Sequence, residues 1–209
     1  METSEEYRRA ALALANAEQE MHCRTVIMSS ATRREGTSSA AIYIGRHLMK
    51  DFGRKPVVIE INRLRPIYSR LFRLDDSKSL AALASGDLSA IECVQHDPTG
   101  LALIPGGSNA SLTAVADFGS LLCRAVQGLQ NHFDFILLDA PPILESADAL
   151  VAGRVVPYLV LVAAAGRVSQ ESLRRVRQEL EDAHITLIGA ILNTPRRIIP
   201  GWIDRWLAQ

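Results

Sequence analysis

Short apolar runs alternate along this chain with longer segments in which apolar residues recur at helical spacing. Six runs are rich in Val, Ile and Leu on both faces, as are strands covered by helices on both sides. They predict strands at Thr25–Ser29, Pro56–Ile61, Leu101–Ile104, Phe133–Asp139, Tyr158–Ala163 and Thr186–Leu192. Helices are predicted at Leu112–Leu129 and at Gln170–His184, where Ser169 is placed as the N-cap. The alternation predicts an α/β fold with a doubly wound, mostly parallel sheet.

The chain has 209 residues, enough to bury the core of one domain, and no stretch rich in Pro, Gly or Ser divides it. We expect a single α/β domain at residues 21–195, an N-terminal helix at 1–20 and a C-terminal tail at 196–209. The formal net charge is zero, which argues against nonspecific nucleic-acid binding because such binding needs a basic surface. The three cysteines lie far apart without zinc-ligand spacing, so we expect reduced thiols and no disulfides.

The sequence also indicates the cellular compartment in which the protein is expected. The charged N-terminus lacks the pattern of a signal peptide. The longest apolar stretch, Leu159–Ala165, is far shorter than the roughly 20 residues that a membrane span requires. We therefore expect a cytoplasmic protein, and this expectation is compatible with work at the inner face of the membrane.

Ligands of doubly wound sheets bind outside the carboxyl ends of the strands. Those ends are predicted at Ser29–Ser39, Glu60–Pro66, Asp139–Pro142 and Asn193–Arg197. The first of them invites comparison with the phosphate-binding pattern GxxxxGKS/T, in which backbone N–H groups and a Lys hold phosphates and a hydroxyl holds Mg²⁺.

The match to this pattern is partial. Gly36 fits the second glycine and Ser38 the hydroxyl, but Thr37 replaces the Lys and Ala31 the first glycine. Taken alone, the segment is equally well interpreted as an ordinary strand-to-helix loop capped by Thr and Ser.

Seven segments extend the comparison over nearly the whole chain, and the most specific is Asp139-Ala-Pro-Pro142 within the fourth predicted strand and its loop. The segments are Ser29–Ala41, Glu60–Pro66, Ser79–Ile91, Leu101–Gly107, Phe133–Ala149, Gly166–Leu173 and Gly189–Asn193. In this order they resemble the motifs of the bacterial tyrosine kinases (BY-kinases) of capsule and exopolysaccharide synthesis, which are relatives of the MinD/ParA ATPases. The resemblance implies a sheet of the P-loop NTPase type.

The same resemblance implies ATP or ADP as ligand, with Mg²⁺. It places the nucleotide at Arg33, Arg34, Glu35, Gly36, Thr37, Ser38 and Ser39. It assigns the magnesium ion to Ser38 and Asp139. It assigns catalysis to Asp139 and to Glu60 and Asn62, which stand where the family has two aspartates.

Several departures from the family fall on these positions. Thr37 removes the phosphate-binding Lys, Arg34 stands in place of a glycine, and Arg33 replaces a proline. Phosphoryl transfer depends on positioning and charge neutralisation, so we expect a degenerate Walker A loop and a pseudokinase. The alternative is an active tyrosine kinase or a MinD-like ATPase with a non-standard loop. Whether the two arginines supply the lost charge or are only solvated remains open at this point.

Both ends of the chain depart from the family as well. The N-terminal ExxRxxR-like pattern keeps Glu5 and Arg8 but has Ala11 last, which leaves homo-oligomerisation and an ordinary solvated helix pair equally open. The segment Pro195–Gln209 lacks tyrosine, and the chain's four tyrosines are scattered, which excludes autophosphorylation on a tail cluster. The four are Tyr7, Tyr43, Tyr68 and Tyr158.

The tail instead carries both tryptophans of the chain. Trp202 and Trp206 form a stripe with Ile203 and Leu207, beside arginines. The stripe is typical of an interfacial anchor or docking helix, or of a terminal helix folded back on its own core. We expect a regulator or scaffold of polysaccharide polymerisation and export, whose partner is a membrane co-polymerase or export protein.

Overall fold

A computed structural model describes residues 2–21, 23–63, 65–107 and 115–193 of the chain. Its strands are β1 (Thr25–Ser30), β2 (Pro56–Glu60), β3 (Gln95–His96), β4 (Ala102–Ile104), β5 (Phe135–Asp139), β6 (Tyr158–Ala164) and β7 (Thr186–Asn193). Its helices are α1 (Glu2–Met21), α2 (Thr37–Phe52), α3 (Tyr68–Phe72), α4 (Leu80–Ser85), α5 (Val115–Leu129), α6 (Asp148–Gly153) and α7 (Gln170–Asp182).

The seven strands form one sheet in the order β3-β4-β2-β5-β1-β6-β7. Every pair is parallel except β3 with β4, which is antiparallel at the edge. The predicted fold class, a single mostly parallel α/β domain, is confirmed. In the register of the sheet, Asp139 lies beside both Met28 and Glu60, so the carboxyl ends of β1, β2 and β5 meet at one place.

Helices cover both faces of the sheet because alternate strand residues are apolar on each side. Val26 and Met28 of β1 pack into one cluster with α1 and α2, while Ile27 packs into the other with α4 to α7. Burial of each such side chain stabilises the fold by about 1.5–3 kcal/mol. The apolar runs of the sequence therefore encode a three-layer arrangement with the sheet in the middle.

The six predicted strands are all present, with ends that differ by at most two residues. The predicted helix from Gln170 is capped by Ser169, whose hydroxyl accepts a hydrogen bond from Ser172 N, but it ends at Asp182 rather than His184. His184 has a positive φ of 56°, so the helical pattern extends past the true end. The predicted helix from Leu112 is seen from Val115 onward. Strand β3 was not predicted, because two residues show no periodicity.

One buried carboxylate away from the carboxyl ends of the strands fixes the turn before β4. Asp97 accepts hydrogen bonds from Thr99 Oγ1 at 2.6 Å and Leu101 N at 3.1 Å, and it pairs with Arg46 Nη2 of α2 at 2.6 Å. Burial alone would raise the pKa of Asp97, but the hydrogen bonds from Thr99 and Arg46 outweigh burial and hold that pKa below its usual range. The turn thereby ties β4 to α2.

Two other predictions concern membrane-spanning helices and the cysteines. Within the described ranges, no helix is long and apolar enough to cross a bilayer. Cys23 and Cys93 are buried free thiols, and Cys123 is a partly buried one. The tail at 196–209, with its tryptophan stripe, lies outside the residues that the structure describes.

Candidate functional site

The loop between β1 and α2 contains two residues in a backbone conformation that favours glycine. Gly36 has a φ of 93°, and a Cβ at this position would lie 2.1 Å from Asn193 Nδ2. That amide donates a hydrogen bond to the Glu35 carbonyl at 2.9 Å, so a Cβ at position 36 would displace it and strain the backbone. Arg34 also has a positive φ, of 64°, at a position where the family pattern has glycine. The loop keeps a glycine-type backbone while carrying a long side chain.

Glu35 serves the loop itself. Its side chain is buried, and one carboxylate oxygen accepts hydrogen bonds from Thr32 N at 2.5 Å and Thr32 Oγ1 at 2.8 Å. The other oxygen accepts from Ala164 N at 3.2 Å. The carboxylate of this predicted nucleotide-binding residue is therefore committed to internal contacts that join the loop to the end of β6.

The two loop arginines differ in their surroundings. Arg33 forms an ion pair with Glu145 through its side chain, and its backbone N–H donates to the same carboxylate at 3.0 Å. Arg34 is exposed, and its guanidinium meets no carboxylate in the portion of the chain that is described. Its carbonyl accepts a hydrogen bond from the Arg167 side chain at 3.4 Å. Arg33 therefore fixes the loop to Glu145, whereas the side chain of Arg34 is available to a ligand.

Asp139, the last residue of β5, lies behind this loop and is 1% exposed. The Tyr68 hydroxyl donates to its Oδ2 at 2.8 Å, and the Ser38 hydroxyl forms a second hydrogen bond with the carboxylate. Burial raises the pKa of Asp139 to about 7, with a further upward contribution from Glu60, although the two hydroxyl bonds oppose the rise. The Asp139 carboxylate thus has two hydroxyl partners from its own chain.

Tyr68 is a site residue that no sequence motif indicates. Its ring is fully buried, and burial, followed by the nearby Asp139 charge, raises the pKa of its hydroxyl well above the usual value. The hydroxyl therefore remains the proton donor in the bond to Asp139. Counted by sequence alone, Tyr68 is one of four scattered tyrosines, and no motif distinguishes it. The apolar pattern of Ile67, Tyr68 and Phe72 predicts burial but not the partner.

Glu60, at the end of β2, is also buried, and backbone N–H groups donate hydrogen bonds to both of its carboxylate oxygens. Its carboxylate accepts hydrogen bonds from Ile67 N at 2.5 Å, Tyr68 N at 3.2 Å and Gly106 N at 2.9 Å. Burial raises the pKa of Glu60, and these backbone bonds act in the opposite direction. Glu60 therefore clamps the start of α3 to the loop after β4.

Asn62, the second position at which the family has an aspartate, has a smaller role. Asn62 is half-buried, and its Oδ1 accepts a hydrogen bond from Arg65 N at 3.3 Å, which closes a local turn. Next to it, Arg63 forms an ion pair with buried Asp148 and lies over the Phe118 ring, 4.2 Å from its centroid. The pair has no local sequence signal, because its members are separated by 85 positions.

A cavity of about 260 Å³ opens at the start of α2. Its lining contains all seven residues predicted to bind nucleotide together with Asn62 and Arg65; the seven are Arg33, Arg34, Glu35, Gly36, Thr37, Ser38 and Ser39. Glu60 and Asp139 do not reach this lining. The structure thus brings the loop residues and Asn62 together around one space and places the two carboxylates behind it.

The family resemblance implies a magnesium ion held by Ser38 and Asp139. In this arrangement the Ser38 hydroxyl is engaged with Asp139, and Asp139 is buried and accepts a further hydrogen bond from the Tyr68 hydroxyl. Glu60, the nearest other carboxylate, has its oxygens filled by backbone donors. Of the described residues, no group of three His, Cys, Asp or Glu side chains is placed to hold a metal. The two residues to which the resemblance assigns the ion are in contact with each other, Ser38 at the cavity and Asp139 behind it.

No family model matches the chain, but it is similar to several proteins that are named tyrosine-protein kinases. It is 25% identical over 169 residues to the tyrosine-protein kinase CpsD of Streptococcus agalactiae, covering 79% of this chain and 73% of that protein. It is 26% identical over 191 residues to the tyrosine-protein kinase YwqD of Bacillus subtilis, covering 91% and 80%. In structure it matches the VpsO kinase domain with a TM-score of 0.83 and 22% identity, over 93% and 95% of the two chains.

Proposed function

Because this chain belongs to the BY-kinase-like group of P-loop proteins, we propose that it is a non-catalytic member that regulates or scaffolds exopolysaccharide or capsule assembly. The single observation that carries the proposal is the state of Asp139. This carboxylate would have to meet the metal and phosphates of a working kinase, yet it is buried and bonded to Tyr68 and Ser38. A carboxylate engaged by two hydroxyl groups of its own chain is less available to a metal ion and phosphates than a free one.

The loss of the loop Lys supports the same proposal. Thr37 offers a hydroxyl where the family has an ammonium group. A hydrogen bond to a charged group contributes about 1.5–3 kcal/mol, and donors aimed at the developing charge of a transition state contribute more. Glu60 is clamped by backbone N–H groups and Asn62 is uncharged, so neither position offers a free carboxylate for phosphoryl transfer.

The partner proposed for this function is a membrane polysaccharide co-polymerase or export protein at the inner face of the membrane. The names of the kinase relatives support the kinase family only, so the partner rests on the family resemblance. Self-association through the N-terminal helix is less well supported. Arg8 pairs with Asp51 of its own α2 at 3.1 Å, and Ala11 is completely buried. Glu5 pairs with Arg8 and Arg9, so all three motif positions have contacts within the chain.

Phosphotransfer with radiolabelled ATP and a tyrosine-rich peptide tests the proposal. The purified chain and its Asp139→Asn variant are compared, with the YwqD kinase as an active control. We expect the wild type to label the peptide no faster than the variant does. Incorporation that is lost on Asp139→Asn would instead support the second candidate, an active tyrosine kinase.

Complementation tests the cellular role separately. A strain that lacks the gene is given the wild type or the Asp139→Asn variant, and its extracellular polysaccharide is measured. A scaffold or regulator that does not transfer phosphate predicts equal recovery of polysaccharide by both, once equal protein levels are shown. Recovery by the wild type alone would contradict a non-catalytic role.

A further inference from the structure

We infer that the groove between α1 and β7 is a docking surface for this chain's own tail, residues 196–209. In this arrangement the arginines at the start of the tail lie against Glu6, and the tryptophan stripe lies in the groove. The docking surface shares no residue with the cavity at the start of α2, so its occupancy does not depend on whether the chain transfers phosphate.

The groove is apolar and incompletely filled. It encloses a cavity of about 100 Å³, and none of the described residues that line it has a polar side chain. Ala10, Ala13 and Ala17 form its wall on α1, and Gly189 and Ala190 form part of its wall on β7. Protein interiors are close-packed, and an apolar void offers water few hydrogen-bond partners. These small residues therefore leave room that large apolar side chains can fill.

The direction of α1 brings the tail to one end of this groove. The Tyr7 hydroxyl donates to Asn193 Oδ1, at the end of β7, at 3.4 Å. Farther along α1, Leu14 shares the lining of the cavity with Ile188, near the start of β7. The helix and the strand are therefore antiparallel, and the chain leaves β7 beside the first turns of α1. Only two residues separate Asn193 from the tail.

A carboxylate oxygen at this end of the groove lacks a partner. Glu6 Oε2 is shielded from solvent and accepts no hydrogen bond from any residue in the described ranges. A shielded charged oxygen without a partner destabilises the fold, and an arginine is a suitable partner because its guanidinium matches a carboxylate. The first charged residues after Asn193 are Arg196 and Arg197. The tail therefore brings the complementary charge to the place where it is missing.

The tail also matches the groove in order and in length. Its apolar stripe recurs at helical spacing and comprises Trp202, Ile203, Trp206 and Leu207. As a helix the stripe spans about 8 Å, and the row from Ala10 to Ala17 spans about 10 Å. Arginines precede the stripe along the tail, just as Glu6 precedes the alanines along the groove. A tethered segment also has a high effective concentration at its site, which favours the tail over a second copy of the chain.

Intrinsic fluorescence of the full chain tests the docking, because both tryptophans of the protein lie in the tail. We expect the emission to lie to the blue of that of the urea-unfolded chain, with weak quenching by acrylamide. Ala13→Gln places a long polar side chain in the groove at an exposed helical position that tolerates glutamine. This variant should shift the emission to the red and raise the quenching to that of the unfolded chain. Glu6→Gln should shift both in the same direction, but by less, because it removes only the charge.

Leu12→Gln is the matched control, because Leu12 is exposed on the same helix and does not line the groove. It should fluoresce as the wild type does, and circular dichroism should show that all the variants keep the fold. Wild-type emission that matches the unfolded chain, or emission that Ala13→Gln leaves unchanged, would overturn the inference. Protection that requires a dimer, as measured by light scattering over a concentration series, would overturn it in favour of a second copy. Protection that appears only with anionic lipid vesicles would overturn it in favour of a membrane anchor.

Discussion

Replacing Glu60 by Asp restores the residue type that the BY-kinase pattern has at this position, and it should damage the fold without restoring chemistry. The Glu60 carboxylate holds three backbone N–H groups, those of Ile67, Tyr68 and Gly106. An aspartate withdraws the carboxylate by one carbon–carbon bond, about 1.5 Å. A shorter side chain cannot reach donors on two separate segments at once, so at least one of these bonds is lost.

The size of the effect follows from that loss. A hydrogen bond to a charged acceptor contributes about 1.5–3 kcal/mol. In a chain of this size, a change of about 1 kcal/mol moves the Tm by about 2–4 °C. Glu60→Asp should therefore lower the Tm by about 3–12 °C, as followed by circular dichroism, with the free energy of unfolding checked in urea.

Asn62→Asp is the matched control, because it restores the other family aspartate at a half-buried position. The new side chain keeps an acceptor oxygen for Arg65 N, and its stability should stay within about 0.5 kcal/mol of the wild type. An unchanged Tm in Glu60→Asp would refute the assignment of Glu60 as a structural clamp. It would mean that the backbone follows the shorter side chain without cost.

Three further predictions concern other parts of the chain. Tyr68→Phe removes the hydroxyl that donates a hydrogen bond to the buried Asp139. Urea unfolding should show that the free energy of unfolding falls by about 1–3 kcal/mol. An unchanged free energy of unfolding would show that this hydrogen bond does not stabilise the fold. Gly36→Ala should lower the Tm well beyond Gly166→Ala, because both have positive φ but only Gly36 lacks space for a Cβ; equal losses would show that the loop yields freely. Asp97→Asn should destabilise the chain at neutral pH. Since the folded-state pKa of Asp97 is lowered, the wild-type advantage is full above the unfolded-state pKa of about 3.9 and disappears as the pH falls through the folded-state value. A difference that is constant across this range in acid titrations would contradict the assignment.

The fold could be predicted from the sequence because its determinants are local. The apolar runs at β1, β2 and β5 are continuous, and strands buried on both faces are read directly from such runs. The loop at Gly36 could be located for the same reason, since a turn after a strand and before a helix is a short-range signal. The motif order along the chain then aligned these parts with a known family.

The state of the site could not be predicted, because it depends on distant partners. Tyr68 and Asp139 are 71 residues apart, and no spacing rule joins a tyrosine on a short helix to the end of a strand. Glu60 stands where the family has an aspartate, and the sequence shows its residue type but not the backbone N–H groups that surround it. Burial and hydrogen bonding, rather than residue identity, distinguish a clamp from a catalytic group.

The amide of Asn193 connects parts of the molecule that are far apart in the chain. Its Nδ2 holds the Glu35 carbonyl, while its Oδ1 accepts from the Tyr7 hydroxyl of α1 at 3.4 Å. One side chain at the end of β7 thus joins the phosphate loop to the first helix. Thermodynamic linkage is reciprocal. A partner that moved Asn193 by shifting α1 or the end of β7 would therefore also disturb the loop, and a change in the loop would disturb α1 and β7 in turn.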